Sequence, residues 1–299
     1  MGAYSAYGLA VDTALPLPGD WRAPVRGQPG VTVEPSVADA ISDAWSGFAE
    51  PGWTGWTEGR RFTVEHGVEG DARLVLEAIA EFHLSASGDR LLAAAEDLSR
   101  ADVLRVLLDS VLASVSLRTG YEAMHAGAVD TPHGVIAVAG ATGAGKSSLI
   151  VALLGRGADF FSDDIVALRR CDDGVLALPG PPVMTVPAGG DVPGKPLADL
   201  GGERWVAVQG APAPRPLTAV ILLCSPSGGE GDKPPSMLSV LGHLLRYPRT
   251  AERERSRFEL ASDLVARVPI IRLNARSGTP MELADQALRR LGVWRTVTT

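Results

Sequence analysis

Cysteine and lysine are almost missing from this chain. Of its 299 residues, two are cysteine (Cys171, Cys224) and three are lysine, at positions 146, 195 and 233. Two cysteines build no disulfide framework, and without a C-x-x-C or Cys/His cluster the sequence offers no zinc site. Both are read as small buried hydrophobes. No run approaches the ~18–20 apolar residues of a membrane span. The opening Met1-Gly2-Ala3-Tyr4-Ser5-Ala6 has no basic stretch and apolar core of a secretory signal, and Ala6 stands where myristoylation requires Ser or Thr. A basic excess is lacking too: the formal net charge is −7, the wrong sign for a nucleic-acid binder working through bulk charge. These absences lead to the expectation of a soluble, cytoplasmic chain with neither nucleic acid nor membrane as partner.

What is present suits a globular protein. Hydrophobic residues make up 45% and charged residues 21%, enough for a substantial core in one large or two ordinary domains. Residues 1–120 read as a strand-rich domain with long loops. It carries four of the six tryptophans (Trp21, Trp45, Trp53, Trp56), Pro/Gly turns, and alternating segments at 61–65 and 72–77. Residues 101–118 have a wide apolar face (Val103, Leu104, Leu107, Leu108, Val111, Leu112, Val115), which predicts a connecting helix ending near Gly120. From 121 to 299 strands and helices alternate, the pattern of an α/β layer structure. Strands are expected at 134–139, 165–168, 175–178, 216–223 and 268–273. Helices are expected at 145–155, 236–245, 250–267 and 280–291. The stretch 179–202, dense in Pro and Gly, reads as a long surface loop.

The sharpest signal is Gly140-Ala141-Thr142-Gly143-Ala144-Gly145-Lys146-Ser147, followed by Ser148. It fits G-x-x-x-x-G-K-[ST] in full, with an apolar strand before it and a helix after it. Glycines let successive N–H groups turn inward and open onto a helix N-terminus, a site built for polyphosphate. Lys146 is placed to reach the β and γ phosphates and the Ser147 hydroxyl to hold Mg²⁺. The sequence therefore predicts binding of ATP or a similar triphosphate with Mg²⁺.

A phosphate loop alone does not choose among kinases, ATPases and GTPases. The Asn-Lys-x-Asp base reader and the Leu-Ser-Gly-Gly signature are both absent, and the apolar strand ending at Cys224-Ser225-Pro226 carries no acid. Acids stand instead at Asp163-Asp164, 17 residues beyond Lys146. A helix, a turn and a strand would bring them back beside the loop. Adjacent carboxylates at a Mg–phosphate site can divide the work, one accepting a proton from an incoming hydroxyl and the other helping to hold the metal.

Met124-His125-Ala126-Gly127, the phosphate loop, and the run Arg156-Gly157-Ala158-Asp159-Phe160-Phe161-Ser162-Asp163-Asp164 together resemble the catalytic domain of the HPr kinase/phosphorylase family. There a His precedes the loop Lys by 21 residues and an Asp-Asp follows it by 17, the intervals of His125, Lys146 and Asp163. The resemblance is sharp over 121–170 and coarse to about 292. It implies an α/β phosphate-loop kinase domain related to phosphoenolpyruvate carboxykinases, preceded here by the small strand-rich α+β domain. By the match Asp163 would activate the acceptor hydroxyl, Asp164 and Ser147 would support Mg²⁺, and His125 would line the phosphate end. The family's Leu-Glu-x-Arg-Gly segment, tied to phosphorolysis and carrier docking, is missing from the corresponding region 179–190. The opening Tyr7-Gly8-Leu9 and Leu15-Pro16-Leu17-Pro18 resembles diverged relatives that accompany peptide natural-product pathways.

The resulting expectation is a serine kinase acting on a peptide or small protein, such as a natural-product precursor peptide. A kinase for a small hydroxy-metabolite and a nucleotide-binding regulatory module without catalysis stay open. The family is often hexameric, so a homo-oligomer also stays open. Arg246, Arg249, Arg253, Arg255 and Arg257 crowd one helical region. They read either as a charged face interleaved with Glu252 and Glu254 or as a source of an arginine for the γ-phosphate.

Overall fold

The structure, a computed structural model, describes residues 2–57, 60–187, 190–200, 202–211, 213–224, 236–244 and 251–292. It is a mixed α/β chain with three sheets. The first contains β1 (Gly2–Ala6), β2 (Leu9–Thr13), β3 (Gly30–Pro35), β4 (Phe48–Thr57), β5 (Arg60–Gly67), β6 (Ala72–Leu76), β7 (Ala80–Leu84) and β8 (Arg90–Ala95). Their order is β1-β2-β3-β8-β7-β6-β5-β4. From β4 to β8 the strands form an antiparallel meander. Along β2, β5 and β6 side chains alternate between buried and partly exposed positions, so one face meets the core. A short helix, α1 (Ala38–Ala44), buries Ile41 beside Leu92 and Ala94.

The connecting helix is not uniform. It runs as α2 (Ala101–Val106), a π-helical turn (Leu107–Val111) and α3 (Leu112–Arg118). The π turn admits an extra residue per turn and is a feature that recurs at functional sites. The whole segment shares a core with the first sheet and with Ala123, Ala167, Leu178, Val183 and Trp205 from the later chain. Each such fully buried Leu or Val contributes about 1.5–3 kcal/mol, so this shared core ties the two parts together.

The second sheet is built around two long strands. β9 (Glu122–Thr131) pairs with β10 (Gly134–Gly140) along one edge. Along its other edge lie β11 (Asp159–Ser162) and then β12 (Ile165–Cys171). β13 (Gly174–Leu178) follows β12 and reaches the start of β17 (Arg215–Cys224), which also pairs in parallel with β10 and with β18 (Ile270–Asn274). Every residue of β10 is buried, as its unbroken run Val135-Ile136-Ala137-Val138-Ala139 requires of a central strand. Two helices, α4 (Lys146–Leu154) and α7 (Pro280–Arg290), cover one face. The other face is covered by α5 (Met237–Leu241) and α6 (Ala251–Arg267). The start of α7 is set by its sequence: Thr279 and Glu282 form a reciprocal capping box and Pro280 follows the cap.

Three readings of the sequence are corrected here. Residues 179–202 are not one loop: β14 (Val183–Val186) and β15 (Lys195–Leu200) join β16 (Glu203–Ala207) in a third sheet, ordered β14-β16-β15. Val183, Met184 and Val186 are buried, and this apolar content outweighs the surrounding Pro and Gly. Cys171 is exposed, because it closes β12 at a hairpin with Gly174, while Cys224 is half-buried. The helix expected at 236–245 is shorter, ending at Leu241.

Candidate phosphate-binding and acid site

Strand register assembles the site. On β9, Ala126 pairs with Ala139, so His125 lies beside the end of β10, where the chain enters the glycine loop. On the opposite edge His125 pairs with Ile165, and Ala128 with Ser162. Asp163 and Asp164 fall in the gap between β11 and β12, facing the same short stretch of β9. The Ala126 N–H donates to the Asp164 carbonyl at 3.0 Å. One strand in the middle thus brings together residues 21 before and 17 after Lys146.

The glycine loop has the geometry its pattern demands. Gly143 (φ 76°) and Gly145 (φ 95°) take left-handed conformations, and Gly145 caps α4. A Cβ at either would meet nothing within 4 Å, so glycine is needed there for backbone conformation and not for space. Ala141, Thr142, Gly143 and Gly145 are exposed, Ala144, Ser147 and Ser148 half-buried, and Lys146 is buried. The Lys146 ammonium donates to the Gly140 carbonyl at 3.2 Å and meets His125 Nε2 at 3.1 Å. Burial and the neighbouring Lys146 hold the His125 pKa below its ordinary value, so a neutral imidazole accepts from the ammonium. Burial likewise lowers Lys146, against the raising effect of Asp164 and Asp163.

The acid turn is tight. Ile165 N–H bonds back to the Asp163 carbonyl across Asp164, whose φ is +55°. This is a γ-turn with its central residue in a conformation that L side chains rarely adopt. Asp163 Oδ2 accepts the Thr185 N–H of β14 at 2.7 Å. Burial, and next the adjacent Asp164, push the Asp163 carboxyl up to about 7, while the Thr185 N–H and Arg105 pull it down. A carboxylate poised there suits a general base near neutral pH.

The donor set fits a Mg-triphosphate. Mg²⁺ is ordinarily held by one or two carboxylates, phosphate oxygens and waters, and a Ser147 hydroxyl with an Asp164 carboxylate matches that. Among the described residues no group of three or more His, Cys, Asp or Glu could hold a metal alone.

Several participants were not visible in the sequence reading. His243 offers its carbonyl to the His125 N–H at 2.8 Å, and burial followed by the charges of His125 and Lys146 lowers its pKa. Thr185 and Arg105 act on Asp163 from β14 and α2, and nothing in their local sequence marks them. Arg257, 1% exposed, and Arg253 face Glu122, at 3.5 and 3.3 Å, on the sheet face opposite α4. Arg255 is exposed, and Arg246 and Arg249 lie outside the described residues.

By sequence the chain matches no family model and no curated protein. By structure it is similar to the Hpr(Ser) kinase/phosphatase from Coxiella burnetii, at 15% identity and a TM-score of 0.35, over 57% of this chain and 96% of that one. A likeness of that size carries no inference about chemistry. No helix among the described residues is long and apolar enough to cross a membrane.

Proposed function

We propose that this chain is an ATP- and Mg²⁺-dependent phosphotransferase that moves the γ-phosphoryl group to a hydroxyl, that of a Ser on a peptide or small protein. The observation that carries the reading is the register of β9, which sets Lys146 and its glycine loop, His125 and the Asp163–Asp164 turn at one end of one sheet.

The residues divide as follows. The loop N–H groups and Lys146 bind and orient the phosphates, and His125 holds the lysine at their end of the site. Asp163, its Oδ2 fixed by Thr185, takes the proton of the acceptor hydroxyl as that oxygen attacks the γ-phosphorus. The bond from the γ-phosphorus to the β–γ bridging oxygen breaks, and ADP leaves with the electron pair. Ser147 and Asp164 would hold Mg²⁺, which neutralises charge on the phosphates.

The test is incubation with γ-labelled ATP and Mg²⁺ alongside a panel of Ser-containing peptides, small proteins and hydroxy-metabolites. Label on a peptide Ser supports the reading. Label on a metabolite alone keeps the phosphotransferase and replaces the acceptor. Tight ATP binding with no transfer to any acceptor refutes catalysis and leaves a nucleotide-binding regulatory module.

A further inference from the structure

The edge hairpin of the first sheet is tied by backbone hydrogen bonds to the segment beside the acid turn. β1 and β2 are joined by Tyr7-Gly8, with φ of 52° and 80° and Ala6 paired with Leu9. Positive φ at both central residues is the pattern of a type I′ hairpin, which favours Asn-Gly or Gly-Gly. Tyrosine at the first position is an outlier, costing about 1–2 kcal/mol. The turn is held at both sides: Tyr7 N–H donates to the Pro179 carbonyl at 2.7 Å, and Ser116 Oγ donates to the Tyr7 carbonyl at 2.7 Å. Pro179 precedes Gly180, whose N–H bonds the Phe161 carbonyl in the strand entering the acid turn.

Tyr7 is wholly buried, and its hydroxyl has no hydrogen-bond partner among the described residues. A hydroxyl left so costs about 1–3 kcal/mol, and phenylalanine would avoid that cost. The carboxylates that act on this phenol are Asp109, on the π turn, then Asp163 and Asp164; with burial, which is the largest cause, they keep it well above its ordinary pKa and therefore a donor. Arg105, one turn before Asp109, lies 3.7 Å from Asp109 and 3.8 Å from Glu203, and its charge also reaches Asp163. Three backbone irregularities, at Tyr7, at the π turn and at Asp164, therefore carry groups that act electrostatically on one another. Such features cluster where strain serves function.

We propose that Tyr7 is a positioning residue for Asp163, its hydroxyl donating to the acid pair when substrates load the site and fixing the carboxylate that takes the acceptor's proton. The inference rests on the phosphotransferase reading above. It gives residues 2–118 a role in the reaction, that of the wall that orients the base.

The experiment is Tyr7→Phe in the full chain, measuring kcat, acceptor KM, ATP affinity by calorimetry and the Tm of the free protein. The expected result is a fall in kcat of about tenfold, the worth of a hydrogen bond to a charged group. KM and ATP affinity stay unchanged, and Tm is equal or higher. Unaltered kcat in an active background overturns the inference alone, and a fall in kcat accompanied by a lower Tm overturns it in favour of a packing role. A wild-type protein that transfers no phosphate overturns the phosphotransferase reading and this inference with it.

Discussion

The two large sheets of this molecule are assembled in different ways. In the first, β4 to β8 are joined in sequence as a meander, each strand beside the one before it. Its chemistry-bearing groups are mostly spent on one another, as where Asp71 binds His83 at 2.9 Å and Ser46. In the second, β9 collects strands from far along the chain, and the acids, the lysine and the histidine meet only through its register. A sheet of local neighbours makes a wall, whereas a sheet of distant neighbours makes a site. By the inference above, the first sheet enters the chemistry at its edge hairpin, through Tyr7, and the helix that follows it through Arg105.

That contrast can be tested by disturbing one face or edge at a time. The largest effect on stability is expected at Glu122, on the α6 face of β9. Glu122→Leu removes the buried carboxylate shared by Arg253 and Arg257, with Glu254 still on Arg257, and should cost about 3 kcal/mol. Denaturant unfolding measures this, and ATP affinity should be unchanged, since α6 and the phosphate loop lie on opposite faces. A loss of ATP binding in the folded variant would contradict the separation of the two faces.

A smaller effect is expected at Gly180, where a Cβ would lie 2.2 Å from Ser162 Oγ and 3.0 Å from Ser162 Cβ. Ser162 immediately precedes the acid turn and bonds the Ile165 carbonyl. Gly180→Ala should cost about 1–3 kcal/mol by overpacking and lower phosphate transfer more than ATP binding. Equal loss of both would place the strain at the phosphate loop instead.

How much of this was legible follows from the same contrast. The loop at 140–147 could be read because glycine conformation, the helix N-terminus and one lysine are local requirements, encoded within eight residues. The helix at 101–118 could be read from its apolar stripe, but its π turn could not, since Asp109 sits in an ordinary helical pattern. His125 and Asp163 were reachable only as intervals from Lys146. Their meeting depends on β9 pairing on both edges, which no periodicity encodes. Thr185, Arg105 and His243 arrive from three separate segments and carry no motif, and Tyr7 stood in the opening Tyr7-Gly8-Leu9 with no role attached to it. Residues 179–202 misled because Pro and Gly density was weighed above the apolar Val183, Met184 and Val186, which the third sheet buries.

The central claim is that one site binds the triphosphate through its glycine loop and does its chemistry through Asp163. The most direct measurement pairs ATP calorimetry with γ-phosphate transfer in wild type and Asp163→Asn. The account predicts that the variant binds ATP with wild-type affinity while transfer falls by about 10²–10⁴-fold, the contribution of a general base. Transfer at the wild-type rate in Asp163→Asn would contradict it.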